Sequence, residues 1–99
     1  GLAKKYDYLD VDYIHRLFSL YGTRVEYILK NVSSIDDLGL HFGRDLYQVE
    51  VDYLMQEEFA LYPEDVLERR TKLYLFLDYD KIENLDNYMQ KKRKVRLKI

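Results

Sequence analysis

Asp10-Val11-Asp12-Tyr13-Ile14-His15-Arg16-Leu17-Phe18-Ser19-Leu20-Tyr21-Gly22 is the stretch whose reading decides the fold class. Val11, Ile14, Leu17, Phe18 and Tyr21 recur at three- and four-residue spacing, which lays a single apolar stripe along a helix. Asp10 is a good N-cap, because its carboxylate can accept an amide of the first turn. Gly22 suits the left-handed backbone that ends a helix.

Working outward, Thr23-Arg24-Val25-Glu26 has the pattern of a capping box, and Val25, Ile28, Leu29 and Val32 supply a buried face for a second helix. The pair is a helix–turn–helix in architecture only. Its second helix offers just Arg24 and Lys30 as bases, too few to read DNA. Residues 33–45 lack a period and read as a loop. The spacing predicts a third, largely buried helix over 46–60, with Leu46, Val49, Val51, Tyr53, Leu54, Met55 and Phe59 around most of its circumference. Pro63 fits the first turn of a fourth helix, where Glu64 and Asp65 face the positive end. Leu73, Leu75, Phe76 and Leu77 follow it, and Asp80 is placed to cap a last helix through Ile82, Leu85, Tyr88 and Met89. The expectation is an all-α fold, a small bundle of about five helices. It forms one domain over residues 1–99 and ends in a basic tail over 90–99.

The chain has 99 residues, of which 47% are hydrophobic and 34% charged, enough for one modest core. Gly1-Leu2-Ala3 reads as an artificial junction or as the interior of a longer chain, and either suggests a fragment. Cysteine is absent, which removes disulfides and thiolate ligands and makes a cytoplasmic setting the default. Net charge is −2, but six of the 16 bases lie from Lys91 onward, leaving 10 against 18 acids before them. The many tyrosines interleave with acids, as in Tyr6-Asp7-Tyr8, so a nucleic-acid partner is disfavoured. His15 and His41 have no neighbouring ligand cluster, and no metal site is expected. There is no P-loop, dinucleotide fingerprint or serine–histidine–acid spacing. One charged cluster stands out: Glu57, Glu58, Glu64, Asp65, Glu68, Arg69 and Arg70 lie within fourteen residues, between positions that must pack. Asp65 and Arg69 share a helix face, and Glu58 on its apolar helix calls for Arg69 or Arg70 as a partner. A structural ion-pair network is the favoured reading over a substrate site.

Residues 57–71, Glu57-Glu58-Phe59-Ala60-Leu61-Tyr62-Pro63-Glu64-Asp65-Val66-Leu67-Glu68-Arg69-Arg70-Thr71, contain an acidic pair followed by ED-x-L-x-RRT. This resembles the signature of the C-terminal domain of FAD-dependent, quinone-linked glycerol-3-phosphate dehydrogenases. Leu17 to Gly22 (LFSLYG) is similar to that family's apolar helix ending in Tyr-Gly, and Val49-Glu50-Val51-Asp52-Tyr53 resembles its E-x-x-Y helix. Tyr62-Pro63 stands where the family often has a threonine cap. The resemblance implies a parent flavoenzyme that oxidises sn-glycerol 3-phosphate to dihydroxyacetone phosphate and passes electrons through FAD to a membrane quinone. It also implies an N-terminal FAD and substrate domain in the same chain as the partner, with the parent cytoplasmic and peripheral on the membrane. Flavin and substrate residues would lie in that N-terminal part. Hence no catalytic, cofactor or metal residue is carried onto this chain, and Glu58, Asp65, Arg69, Arg70 and Thr71 are carried over as structural residues only. The same domain of an oxygen-using glycerophosphate oxidase fits equally, and a free-standing helical interaction module is the reading from another class. The oligomeric state stays open.

Overall fold

The computed structural model describes residues 6–71, 73 and 77–97, with backbone alone at 69, 70 and 95–97. Among these, four α-helices and a small antiparallel hairpin enclose one apolar core. The fold is therefore mostly helical rather than purely so.

Helix α1 (Val11–Tyr21) begins as its sequence dictates, with the Asp10 carboxylate accepting from the Tyr13 amide at 3.2 Å. Its buried face is Tyr13, Ile14, Leu17 and Tyr21. Val11, counted in the stripe, is 65% exposed. Side chains lean toward the helix N-terminus, so the first residue of α1 points past the core instead of into it.

The capping box does not form. A 3₁₀ turn over Gly22–Arg24 carries the chain directly into α2 (Val25–Ile28), and neither has a side-chain cap. Thr23 thus lies inside a helical turn rather than at the extended position an N-cap needs. Val25, Ile28 and Leu29 are buried as their spacing requires. Tyr8 straps the preceding segment across the end of this unit by donating to the Val32 carbonyl at 2.9 Å.

The stretch over 33–45 is more ordered than a loop. A 3₁₀ turn (Ile35–Leu38) seals the core with Leu38, and β1 (His41–Gly43) pairs with β2 (Leu46–Tyr47). Leu46 and Tyr47 therefore belong to a strand, and α3 starts later, at Gln48–Glu57. Gln48 locks the junction. Its amide donates to the Leu40 carbonyl at 2.8 Å and its side-chain oxygen accepts from the Leu40 amide at 3.1 Å.

The C-terminal part begins with a π-helical turn over Asp65–Arg70 that buries Val66 and Leu67. Leu73 and Leu77 are buried, whereas Leu75 and Phe76 lie outside the described residues. Helix α4 (Tyr79–Leu97) then crosses the hairpin and fills the core with Leu85 and Met89. Asp80 sits in its first turn rather than at the cap, where it still meets the positive helix end. The basic segment from Lys91 to Lys94 is the helical continuation of α4. Lys98 is outside the described residues.

Gly43 is what allows α4 to approach β1. Its φ is +118°, and a Cβ there would meet Leu77 Cδ2 at 2.5 Å and Lys81 Cδ at 2.7 Å. Lys81 can swing aside; the buried Leu77 cannot. Gly43→Ala is expected to destabilise the fold by roughly 2–4 kcal/mol, from backbone strain and overpacking together. Urea denaturation of the two proteins measures it.

Candidate functional site

The most highly organised polar group is assembled from three elements. Glu50 lies on the inward face of α3 with no exposed surface. An isolated carboxylate there would be very costly, so it must be matched. Arg16, reaching across from α1, supplies the match: Nη1 donates to Oε2 at 2.9 Å and Nη2 to Oε1 at 2.7 Å, a two-pronged pairing that suits the planar guanidinium. Tyr21, at the end of α1, donates its hydroxyl to Glu50 Oε2 at 2.5 Å. The hairpin turn completes the set. Asp45 Oδ2 accepts from Arg16 Nε at 2.8 Å and the Asp45 carbonyl accepts from Nη2 at 3.0 Å.

One cation therefore faces two carboxylates. Burial alone would lower the Arg16 pKa, but hydrogen bonds and attraction from Glu50 and Asp45 outweigh it and raise the pKa above its ordinary value. Tyr13 packs its ring against Tyr47, with centroids 5.6 Å apart, and lies beside the Arg16 guanidinium. Its hydroxyl is buried and has no hydrogen-bond partner among the described residues. Burial, reinforced by the Glu50 charge, raises its pKa. An open cleft of about 370 Å³ next to this group is lined by Arg16, Arg44, Asp45 and Leu73. Arg16 has given most of its donors to protein acceptors, and the Asp45 carboxylate that lines the cleft is itself held by Arg16 Nε. The cluster acts as a lock between α1, α3 and the hairpin.

The residues singled out in the sequence occupy a second place, around the π-turn. Asp65 Oδ2 accepts from the amides of Leu61 and Tyr62 at 3.0 and 3.1 Å, tying the entering loop to the first residue of the turn. At the other end Thr71 sends both its amide and its hydroxyl to the Val66 carbonyl, each at 2.9 Å. The amide bond spans five residues, the spacing that defines a π-turn. Glu58 is exposed at the C-cap of α3, where its amide donates to the Leu54 carbonyl at 3.1 Å, so it does not carry the burial that called for a cationic partner. The expected pairings with Arg69 and Arg70 fall on side chains outside the described residues; the backbone of both lies within the turn. His15 and His41 are both exposed, and His41 stacks on Tyr47 with ring centroids 4.6 Å apart. Among the described residues no group of three or more His, Cys, Asp or Glu is arranged to hold a metal ion.

A family model described as the C-terminal domain of alpha-glycerophosphate oxidase matches residues 1–92. The chain belongs to this family. It is 45% identical over 89 residues to a glycerol-3-phosphate dehydrogenase of Pseudomonas aeruginosa, covering 90% of this chain and 17% of that protein. With the glycerol-3-phosphate dehydrogenase of Pseudomonas tolaasii it shares 44% over 84 residues, 85% of this chain and 16% of that protein. With the D-erythritol 1-phosphate dehydrogenase of Brucella abortus it shares 38% over 76 residues, 77% and 15% respectively. The chain thus spans about a sixth of the length of these relatives. The resemblance read from residues 57–71 pointed to this same family.

Sequence reasoning missed Arg16 altogether and met Glu50 only within the E-x-x-Y likeness. The signal was present: Glu50 stands four residues from both Leu46 and Leu54, and Arg16 lies between Tyr13 and Leu17, so each charge sits on an apolar face. Glu50→Ala removes the two-pronged half of the Arg16 pairing and is expected to cost about 3 kcal/mol, the lower end of the buried-pair range because Arg16 keeps its bond to Asp45 and some exposure. Replacing both Arg16 and Glu50 by methionine is expected to restore much of that loss in urea titrations. A separate expectation concerns alkaline pH. Burial, foremost, raises the pKa values of Tyr13 and Tyr88 in the folded state. The native form therefore holds these protons above pH 10, where the unfolded chain releases them, so their contribution to stability falls as pH rises past that value. Tyr13→Phe is expected to keep neutral-pH stability and flatten the alkaline decline of the urea midpoint.

Proposed function

We propose that this chain is the C-terminal domain of a flavoenzyme that oxidises the secondary alcohol of sn-glycerol 3-phosphate to the ketone of dihydroxyacetone phosphate and delivers the two electrons to a quinone. The observation that carries the proposal is the 44–45% identity, over 85–90% of the chain, to proteins named glycerol-3-phosphate dehydrogenase. A relative named aerobic glycerol-3-phosphate dehydrogenase, from Escherichia coli K12, is 29% identical over 98 residues and supports the same reading.

FAD, when bound to the parent, would accept the two electrons. The described residues of this chain do not fit it. A dinucleotide is seated where a parallel strand passes through a glycine-rich turn into a helix. Here Gly22 and Gly39 follow helical turns, and Gly43 ends a strand of the hairpin against Leu77 and Lys81. We therefore assign the flavin and the substrate to the part of the parent beyond this chain, and to these residues the work of a rigid helical accessory domain. No helix among the described residues is long and apolar enough to cross a membrane. In this reading the parent is cytoplasmic and meets the quinone from the membrane surface.

A second reading keeps the substrate and changes the acceptor to oxygen, and it is favoured by the family model being named after an oxidase. One experiment tests both. The purified full-length parent is given glycerol 3-phosphate without oxygen while its flavin absorbance is followed. Bleaching is the expected result, with recovery on adding quinone; recovery on oxygen with peroxide formed selects the oxidase. A flavin that bleaches only with erythritol 1-phosphate reassigns the substrate, and a parent with no flavin refutes the proposal.

A further inference from the structure

The loop between α3 and the π-turn is unusual in being apolar, exposed and held at both ends. Phe59 is 73% exposed, Leu61 44% and Tyr62 51%. Phe59 also has φ +62°, the left-handed region in which a bulky aromatic is a true outlier. Glycine is the ordinary residue at such a helix end, so the strain goes with presenting a phenyl ring to the outside. The carbonyl of Leu54 accepts from the amides of Glu58 and Ala60, and Asp65 holds the amides of Leu61 and Tyr62. Arg93 of α4 donates to the Leu61 carbonyl and lies 4.5 Å from the centroid of the Tyr62 ring. An apolar loop this firmly tied loses little freedom on being covered, which is the property of a preorganised docking surface. Glu57, Glu58 and Glu64 flank it in sequence, while Arg93 lies against it in space, so its rim carries both signs of charge.

We propose that Phe59, Leu61 and Tyr62 dock this domain onto the remainder of its own parent polypeptide, in an apolar depression. The occupant follows from size and tethering. The chain spans 16–17% of the length of the Pseudomonas relatives, so most of such a parent lies outside it. A tethered body is present at high effective concentration, and a contact as small as three side chains then suffices where it would not hold a free partner. This inference rests on reading the chain as the C-terminal domain of a larger oxidoreductase. Within it, Asp65 of the ED-x-L-x-RRT stretch serves to hold the docking loop in shape.

Hydroxyl-radical footprinting of the full-length parent, read by mass spectrometry, tests it. Oxidation of Phe59, Leu61 and Tyr62 is expected to be at least about fivefold slower than in the urea-unfolded parent, as for the core of an interface, and to be the same at high and low protein concentration. Slowing of twofold or less, which is what the exposure in the free domain allows, overturns the proposal. So does protection that vanishes on dilution, because the occupant is then a second copy. Phe59→Gly accepts the left-handed backbone and removes only the ring; it is expected to stay folded and to expose Leu61 and Tyr62. Their continued protection in that variant overturns Phe59 as an anchor. Footprinting reads neither flavin nor substrate, so a parent that protects the loop but never bleaches separates this inference from the functional one.

Discussion

A carboxylate with no solvent at all, Glu50, sets the terms for the rest of this structure. It forces Arg16 inward, and Arg16 in turn fixes the hairpin turn through Asp45. Three elements distant in sequence are thereby held in one register by directional bonds. Apolar contacts alone tolerate sliding, whereas a two-pronged Arg–carboxylate pair does not. Replacing such a pair by well-packed apolar residues is often neutral or better for stability. Its use here is geometric: α1 and α3 can meet in only one way.

What could be read from the residues, and what could not, divides along physical lines. Helix α1 was legible because its apolar period, its Asp10 cap and its Gly22 stop are all local. The hairpin was not. Its strands hold three and two residues, too short for any alternation to show, and Leu46 and Tyr47 fit the period of the helix that follows them. Thr23 and Glu26 illustrate the reverse error, since a local pattern with its own logic was overridden when the chain ran on as a 3₁₀ turn. The Arg16–Glu50 lock was half visible: each charge on an apolar face announced a buried partner, but pairing positions 34 apart needed the fold.

The most distinctive sequence feature turned out to be the sequence of a π-turn. Its wider bore leaves one amide to be matched five residues back, and Thr71 meets this need with backbone and side chain together. Asp65 closes the opposite end against the loop amides. Acid first and threonine last are thus explained by hydrogen bonding within one short segment, with no ligand required. Val66 and Leu67 between them are fully buried, so the turn is also a plug in the core.

Helix α4 carries a consequence for how the protein is made. It supplies Leu85 and Met89 to the centre of the core, sets the Tyr88 ring at a tilt against Phe42, and anchors by hydrogen bond and charge to Asp52 of α3. The hairpin has an uncovered apolar side until that helix arrives. During synthesis the growing chain must therefore wait, with Phe42 still open to water, until residues 85–89 have cleared the ribosome. The vulnerable interval for misassociation lies there, and chaperones that shield nascent apolar surface would find their target in the hairpin.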